Sequence, residues 1–189
     1  MKDLKQKLLN VGFDIISEQG FTGVGIMKII TAAGATKGSF YHHFKSKEDF
    51  GAQMLHNYFE EHIAVLNGFF EDTNYSYQHR LERYFDHWCQ VKLSNDFQIK
   101  CLVTKLSGEL SSASNLMKKE MNLGTEKFTE SMSCLLRNGT ENGEFNVEDY
   151  DETARAVYFL WLGSTLFASL NRDRGILDQV ITQTNKLIH

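Results

Sequence analysis

The chain has 189 residues, of which 42% are hydrophobic, with a formal net charge of −4 and no proline. This composition excludes a disordered, collagen-like or proline-rich protein, and the length predicts one domain or two small ones. No run of about 18 apolar residues occurs, and residues 1–7 lack the features of a secretory peptide, so we expect no membrane partner.

Helical periodicity runs along the sequence, and no segment alternates as a strand would. Glycine, Asn, Asp and Ser supply the boundaries, including Asn95-Asp96, Ser111-Ser112 and Asn138-Gly139. Helices are predicted over residues 4–19, 26–33, 36–44, 46–70, 77–93, 100–112, 114–138, 149–170 and 175–188. The predicted fold class is all-α, with an N-terminal three-helix head joined to a larger helical body.

Residues 26–44 have the pattern of a helix-turn-helix. A short helix is followed by the Gly34-Ala35 turn and by a second short helix with Thr36 as its N-cap. Phe40 and Phe44 are four residues apart and are expected to face the core. The opposite face of the second helix would then enter a DNA major groove.

Polar residues around this second helix are candidates for DNA contact. Lys37 offers a donor for a phosphate or a guanine edge, and Tyr41 offers a hydroxyl for phosphate or a ring for a thymine methyl. Gly38 and Ser39 are small enough for a close approach. Lys47, in the first turn of the next helix, adds an ammonium group beside exposed backbone N–H groups.

Charge along the chain agrees with this interpretation. Residues 1–47 contain seven lysines and three acidic residues, a net charge of +4, whereas the remaining 142 residues carry −8. A basic segment on an acidic chain is typical of a protein whose basic part meets a polyanion. Chance scatter of the charges is the alternative.

Three sequence features resemble the N-terminal domain of TetR-family repressors: Gly20-Phe21, Ala33-Gly34 and the run KGSFYHHFKSKEDF from Lys37 to Phe50. The resemblance implies a homodimer that binds a pseudo-palindromic double-stranded DNA operator. It also implies a DNA-binding domain over residues 1–47 and an effector-binding and dimerisation domain over 48–189.

The resemblance also implies which residues face DNA. They are Thr36, Lys37, Ser39, Tyr41, His42, His43 and Lys47. Gly25 departs from the family pattern, since many members have Ser or Thr there to cap the second helix. We therefore expect that helix to be less well capped.

Segments around Cys101, Gly124-Thr125 and Leu160–Gly163 resemble the electrophile-responsive branch of the family, in which the cysteine aligned with Cys101 is the candidate sensor. Lys100 and Lys105 lie close in sequence and would favour its thiolate. The alternative is an inert cysteine buried on an apolar helix face. A lysine often belongs to the surroundings of such a sensor, yet the helical segment over residues 158–170 contains none.

The other cysteines, Cys89 and Cys134, are interpreted as core residues. The spacings of the three cysteines fit neither a disulfide framework nor a zinc motif. Unpaired cysteines are typical of a reducing compartment, so the predicted localisation is cytoplasmic, and we expect no metal and no other cofactor.

Aromatic residues and methionines are dense in the body, where they would suit a small apolar or electrophilic effector. Trp88, Met121 and Trp161 are the candidates for lining such a pocket, with Cys101 and Lys105 as the reactive pair. The alternative is that these large side chains form the core of the helical body.

The last two helices carry apolar stripes that predict a four-helix dimer interface, two helices from each subunit. The residues assigned to it are Val157, Trp161, Ser164, Ala168, Leu177, Val180, Ile181 and Thr184. The alternative is that the stripes close the core of the monomer.

No phosphate loop, dinucleotide fingerprint, nucleophile elbow or HExxH motif occurs, so the sequence predicts no catalytic residues and no enzyme. The predicted function is a DNA-binding repressor released by an effector or by modification of a cysteine. The alternatives are an activator of the same architecture and a helical interaction module that does not bind DNA.

Overall fold

A computed structural model describes residues 2–93, 96–110 and 114–189. These residues form the helices α1 (Lys2–Gln19), α2 (Ile26–Ala32), α3 (Lys37–His43), α4 (Lys47–Phe70), α5 (Tyr77–Lys92), α6 (Leu102–Leu110), α7 (Asn115–Glu141), α8 (Tyr150–Asn171) and α9 (Gly175–Ile188). The only strand-like pairing among the described residues is an isolated bridge between Leu93 and Ile99. The predicted all-α fold class is confirmed.

Several helix bounds differ by one to three residues from the predicted ones. Helix α6 begins at Leu102 rather than at residue 100, and α7 continues past Asn138-Gly139 to Glu141. The turn after α7 instead contains Gly143, whose φ of +79° lies in the left-handed region that favours glycine. The expected boundary residues Asn95, Ser111 and Ser112 lie outside the described residues.

The described residues divide into two compact units. Unit 1 contains those within Met1–Phe59 and Cys101–Gly124, and unit 2 contains those within Glu60–Lys100 and Thr125–His189. The head predicted over residues 1–47 therefore packs in one unit with α6 and the start of α7. The functional division at Lys47 stays a prediction.

Unit 2 has a core of aromatic and aliphatic side chains. The indole N–H of Trp88 donates to the Thr165 hydroxyl at 3.0 Å, and that of Trp161 donates to the Thr184 hydroxyl at 3.0 Å. The two indole rings lie 5.7 Å apart between centroids. The buried threonines thus satisfy the polar atoms that large aromatic side chains bring into a core.

None of the described helices is both long enough and apolar enough to cross a membrane.

Candidate DNA-binding surface and effector unit

The N-terminus of α3 is closed by a capping box. The Thr36 hydroxyl accepts a hydrogen bond from the Ser39 backbone N–H at 3.1 Å, and the Ser39 hydroxyl accepts one from the Thr36 N–H at 3.0 Å. Thr36 and Ser39 were both predicted to face DNA, and they also cap the N-terminus of α3. The predicted N-cap role of Thr36 is confirmed.

Three buried aromatic rings hold α3 in place. Phe40, Phe44 and Phe50 are buried, and their ring centroids lie 4.9–5.5 Å apart in tilted and edge-to-face arrangements. Such pairs contribute beyond their buried area, so the orientation of α3 is well determined. Gly34, at a φ of +63°, makes the preceding turn in the left-handed region.

The opposite side of α3 is open to solvent. Lys37, Gly38, Tyr41 and His42 are exposed, with Tyr41 at 47%. His43 is half-buried, and desolvation followed by the nearby positive charges of His42 and Lys5 lowers its pKa. The His43 ring is therefore neutral at pH 7 and suited to hydrogen bonding with phosphate or sugar rather than to ion pairing.

Lys47 has a different environment from the one predicted. Its ammonium donates to the backbone carbonyl of Phe21 at 2.7 Å and lies 4.4 Å from the centre of the Phe21 ring. Burial lowers the pKa of Lys47, while Glu48 and Glu109 oppose that shift. The side chain thus contacts the α1–α2 loop within unit 1, and its role as a phosphate donor stays a prediction.

The N-terminus of α2 is poorly capped, as the presence of Gly25 instead of Ser or Thr predicted. Gly25 is the N-cap, and no side chain makes a capping hydrogen bond there. The Lys28 N–H donates to the Gly25 carbonyl at 3.0 Å, but no side chain caps this first turn.

Glu109, near the end of α6, is a contact that sequence reasoning missed. Its carboxylate accepts the backbone N–H groups of Phe21 and Thr22, at 3.2 and 2.6 Å. No motif surrounds Glu109, and 88 residues separate it from Phe21, so no local signal could have revealed the contact.

Cys101 lies in unit 1, directly before α6, and is 1% exposed. The Tyr58 hydroxyl lies 3.5 Å from its sulfur, within hydrogen-bond distance. Cys101 is therefore enclosed, as the alternative of a buried cysteine predicted, and an electrophile reaches it only when the local structure opens.

The other two cysteines differ from each other. Burial, with the charge of Asp86, raises the pKa of the Cys89 thiol to about 12, which makes it unreactive. Cys134 is exposed, which corrects its interpretation as a core residue.

The predicted pocket residues are divided between the two units. Trp88 and Trp161 lie together in the core of unit 2, whereas Met121, Cys101 and Lys105 belong to unit 1. Both tryptophans are fully packed, with 2% and 0% exposure. The two tryptophans are therefore core residues, as the alternative interpretation predicted.

The predicted dimer residues form the interior of unit 2. Six are buried and two, Ser164 and Ile181, are half-buried. The buried six are Val157, Trp161, Ala168, Leu177, Val180 and Thr184. The six buried side chains pack within one chain, as the alternative interpretation predicted, and the assignment of Ser164 and Ile181 to a dimer interface stays a prediction.

A second apolar face of the same two helices is open to solvent. It consists of Phe159, Leu166, Phe167 and Leu170 on α8 and Leu187 on α9, which are 43–72% exposed. The α8 members recur at helical spacing on the side opposite Trp161, with Gly163 between them. We call this set the exposed apolar face.

Comparison with known proteins places these features in a family. A family model of bacterial regulatory proteins of the TetR family matches residues 8–54, and a model of the tetracyclin repressor-like C-terminal domain matches residues 78–184. The first match covers the helix-turn-helix, and the second covers most of the chain after it.

Two relatives match over most of their length. The chain is 30% identical to the HTH-type transcriptional repressor NemR of Escherichia coli K12 over 188 residues, which are 98% of this chain and 94% of that protein. It is 31% identical over 180 residues to the HTH-type transcriptional repressor DhaR of Mycobacterium sp. GP1, covering 95% of this chain and 89% of that one.

Solved structures agree with these relatives. The reduced form of E. coli NemR superimposes with a TM-score of 0.93, covering 99% of this chain and 97% of that one. A regulatory protein TetR from Rhodobacter sphaeroides has a TM-score of 0.88 at 26% identity, covering 97% and 98% of the two chains. The helix-turn-helix head, the helical body and these matches together establish that the chain is a DNA-binding transcriptional regulator and belongs to the TetR family.

Proposed function

We propose that this regulator is a homodimeric repressor that binds a pseudo-palindromic operator through α3 and leaves it in response to an electrophilic or small apolar effector. Residues 1–47 are assigned the DNA contacts, and residues 48–189 the effector and dimer functions. The observation that carries the DNA contacts is the solvent-facing side of α3, with Lys37 and Tyr41 presented by a helix that buried rings hold in place.

Operator binding by two heads imposes a spacing. Paired recognition helices must lie one DNA turn apart, about 34–36 Å, or a multiple of it. An effector that favours a different separation lowers operator affinity by its differential binding free energy for the two arrangements. The proposed cycle is one of binding and release, and it contains no catalytic step.

The dimer surface in this proposal is the exposed apolar face. Five large apolar side chains on two packed helices at 43–72% exposure support an interaction site there. A second copy of the chain would place the same face opposite itself about a two-fold axis. Gly163, whose missing side chain leaves open space, would allow two α8 helices to approach closely.

The effector step assigned to residues of this chain is alkylation of the Cys101 thiol by an electrophile. NemR, a relative at 30% identity, has been solved in a reduced form, and this supports the proposal of a modifiable thiol in this chain. The Tyr58 hydroxyl donates a hydrogen bond to the Cys101 sulfur and so orients this side chain. An adduct on a side chain with 1% exposure has no room, so it would displace the start of α6.

The DNA contact is tested with duplexes that the purified protein selects from a random library. We expect Tyr41→Ala to weaken binding about tenfold or more at roughly 0.15 M salt, measured by fluorescence anisotropy. The control is Tyr75→Ala, which removes another exposed tyrosine that lies outside the head. Unchanged affinity in Tyr41→Ala, with the fold intact by circular dichroism, would refute the assigned surface.

The sensor is tested with N-ethylmaleimide, whose alkene carbon forms a bond to the thiolate sulfur while a solvent proton adds to the neighbouring carbon. We expect treatment to release the wild type from its duplex but not Cys101→Ser. Exposed Cys134 is alkylated in both proteins and serves as the internal control. Equal release of both proteins excludes Cys101 as the sensor.

A further inference from the structure

The peptide groups of Phe21 and Thr22, in the loop between α1 and α2, are held from two sides. The Glu109 carboxylate on α6 accepts both N–H groups, at 3.2 and 2.6 Å. The Lys47 ammonium at the start of α4 donates to the Phe21 carbonyl at 2.7 Å. Three side-chain bonds, each involving a charged group, therefore fix a loop that directly precedes the helix-turn-helix.

The backbone of the loop leaves space for this carboxylate at Gly20. Gly20 has a φ of +78°, and a Cβ atom added there would lie 2.4 Å from the nearer Glu109 oxygen, closer than any side chain allows. Burial raises the pKa of Glu109, but its hydrogen bonds with Thr22 and Phe21, together with the charge of Lys105, hold that pKa below its usual range. The carboxyl group is therefore ionised, and both of its oxygens act as acceptors at neutral pH.

Helix α6 relates this contact to the proposed sensor position. The backbone carbonyl of Cys101 accepts a hydrogen bond from the Lys105 N–H at the start of the helix, at 3.0 Å. Glu109 lies in the last turn of the same helix. At a rise of about 1.5 Å per residue, the two residues lie about 12 Å apart along one short helix. A displacement of the helix at Cys101 is thus carried to Glu109, since a helix this short moves as one body.

We propose that Glu109 is a positioning residue, through which α6 holds the α1–α2 loop, and with it the helix-turn-helix, in the arrangement that binds the operator. The inference rests on the DNA-binding function, but it does not require Cys101 to be the sensor. Any effector that shifts α6 would act through the same contact.

For removal of the Glu109 charge, long-range electrostatics and the positioning role predict opposite changes in operator affinity. The sign of the change therefore distinguishes the two effects. Removing an acidic charge reduces repulsion from DNA phosphates and strengthens binding. Glu109→Gln removes that charge but also replaces one acceptor oxygen with an NH₂ group facing a backbone N–H. We therefore expect operator binding about tenfold weaker, despite the favourable change in charge.

The matched control is Glu120→Gln, which removes one negative charge from the same unit, where Glu120 lies 3.3 Å from His56. It is expected to bind the selected duplex as tightly as the wild type or more tightly. Glu109→Asp keeps the charge but shortens the side chain by one methylene. It is expected to weaken binding, as Glu109→Gln does, because it cannot reach both N–H groups.

Amide hydrogen exchange gives a second measurement that does not depend on DNA. The Phe21 and Thr22 amides should exchange at least about tenfold faster in both Glu109 variants. The Phe40 amide, bonded to the Thr36 carbonyl at 3.0 Å, should keep its rate and so show that α3 remains folded.

The outcomes separate this inference from the proposed function. Tighter or unchanged operator binding in both Glu109 variants overturns the positioning role, as does unchanged exchange at Phe21 and Thr22. A wild type that selects no duplex refutes the proposed function and, with it, the positioning role in operator binding. Faster exchange in the variants would then establish the contact as structural only.

Discussion

The recognition helix α3 and the body helix α8 differ in how far their sequences determine which side is buried. Helix α3 and its C-cap bury two apolar side chains, Phe40 and Phe44, while the other side of the helix is exposed. Helix α8 is apolar on two opposite sides, so Trp161 is fully buried while Phe167 is 54% exposed. A single apolar stripe fixes the orientation of a helix, whereas two stripes leave the choice to tertiary packing.

The largest expected effect tests this contrast directly within unit 2. Val180→Asp places a charge at a position that is 3% exposed, and we expect it to cost about 3–5 kcal/mol of folding free energy. Phe167→Asp places the same charge on the exposed apolar face. It should leave each chain folded while converting the dimer to monomers, observed by sedimentation velocity together with thermal unfolding.

Val65→Asp is the control for an exposed apolar position outside that face, since Val65 is 40% exposed on α4. It should change neither the mass of the sedimenting species nor the fold. A dimeric Phe167→Asp would contradict the assigned face. A stable monomeric Val180→Asp would instead restore the interface predicted from the sequence.

The same limit applies to glycines within helices, where the sequence does not show what lies opposite. Gly124 in α7 faces the Phe59 ring, and an added Cβ would lie 2.1 Å from it, whereas Gly68 in α4 has open space. We expect Gly124→Ala to destabilise the fold by about 1–3 kcal/mol through overpacking. Gly68→Ala should stabilise it by about 0.4–1 kcal/mol, since alanine restricts the unfolded chain.

Chemical denaturation measures both changes. Equal effects of the two alanines would mean that the contact with Phe59 relaxes at no cost. That result would remove packing as the reason for a glycine at position 124.

The features that the sequence predicted are those encoded within a few residues. The N-cap at Thr36, the turn at Gly34 and the inward Phe40 all depend on neighbours in the chain, and all are present. The Glu109 contact, the burial of Cys101 and the choice of apolar face on α8 depend on residues distant in sequence. Periodicity within one helix carries no information about those contacts, so the sequence could not reveal them.

Histidines extend the comparison to charge. His42 on α3 is exposed, whereas burial, together with the charges of Lys92 and His87, lowers the pKa of His62 to about 3. Between that value and about 6.5 the unfolded chain binds a proton at this position that the folded chain does not. Stability therefore rises with pH across this window and falls as the solution is acidified.

We expect His62→Gln to reduce the slope of unfolding free energy against pH by up to one proton, about 1.4 kcal/mol per pH unit, between pH 6.5 and 4. The amide of glutamine does not titrate but can still accept a hydrogen bond from Lys92, which contacts His62. Urea unfolding at several pH values gives the slope, and the curves above pH 7 serve as the control because His62 is neutral in both states there. Identical slopes below pH 6.5 would show that His62 is protonated in the folded protein.

The smallest expected effect returns to α3, where the exposed side was predicted from the sequence. Lys37 is exposed at the start of the helix, and a phosphate contact there releases one condensed counterion when DNA binds. Lys37→Ala should weaken binding to the selected duplex and to a shuffled duplex alike. It should also lower the slope of log affinity against log salt by about one, since one fewer phosphate is neutralised.

Lys186→Ala is the matched control, because it removes an equal charge from an exposed position on α9. Anisotropy titrations between about 0.05 and 0.2 M salt resolve the difference in slope. A loss confined to the selected duplex would mean instead that Lys37 donates to a base edge, where each such contact discriminates among sequences. The two outcomes distinguish positioning on the backbone from direct reading of the operator, a distinction that burial and exposure alone do not make.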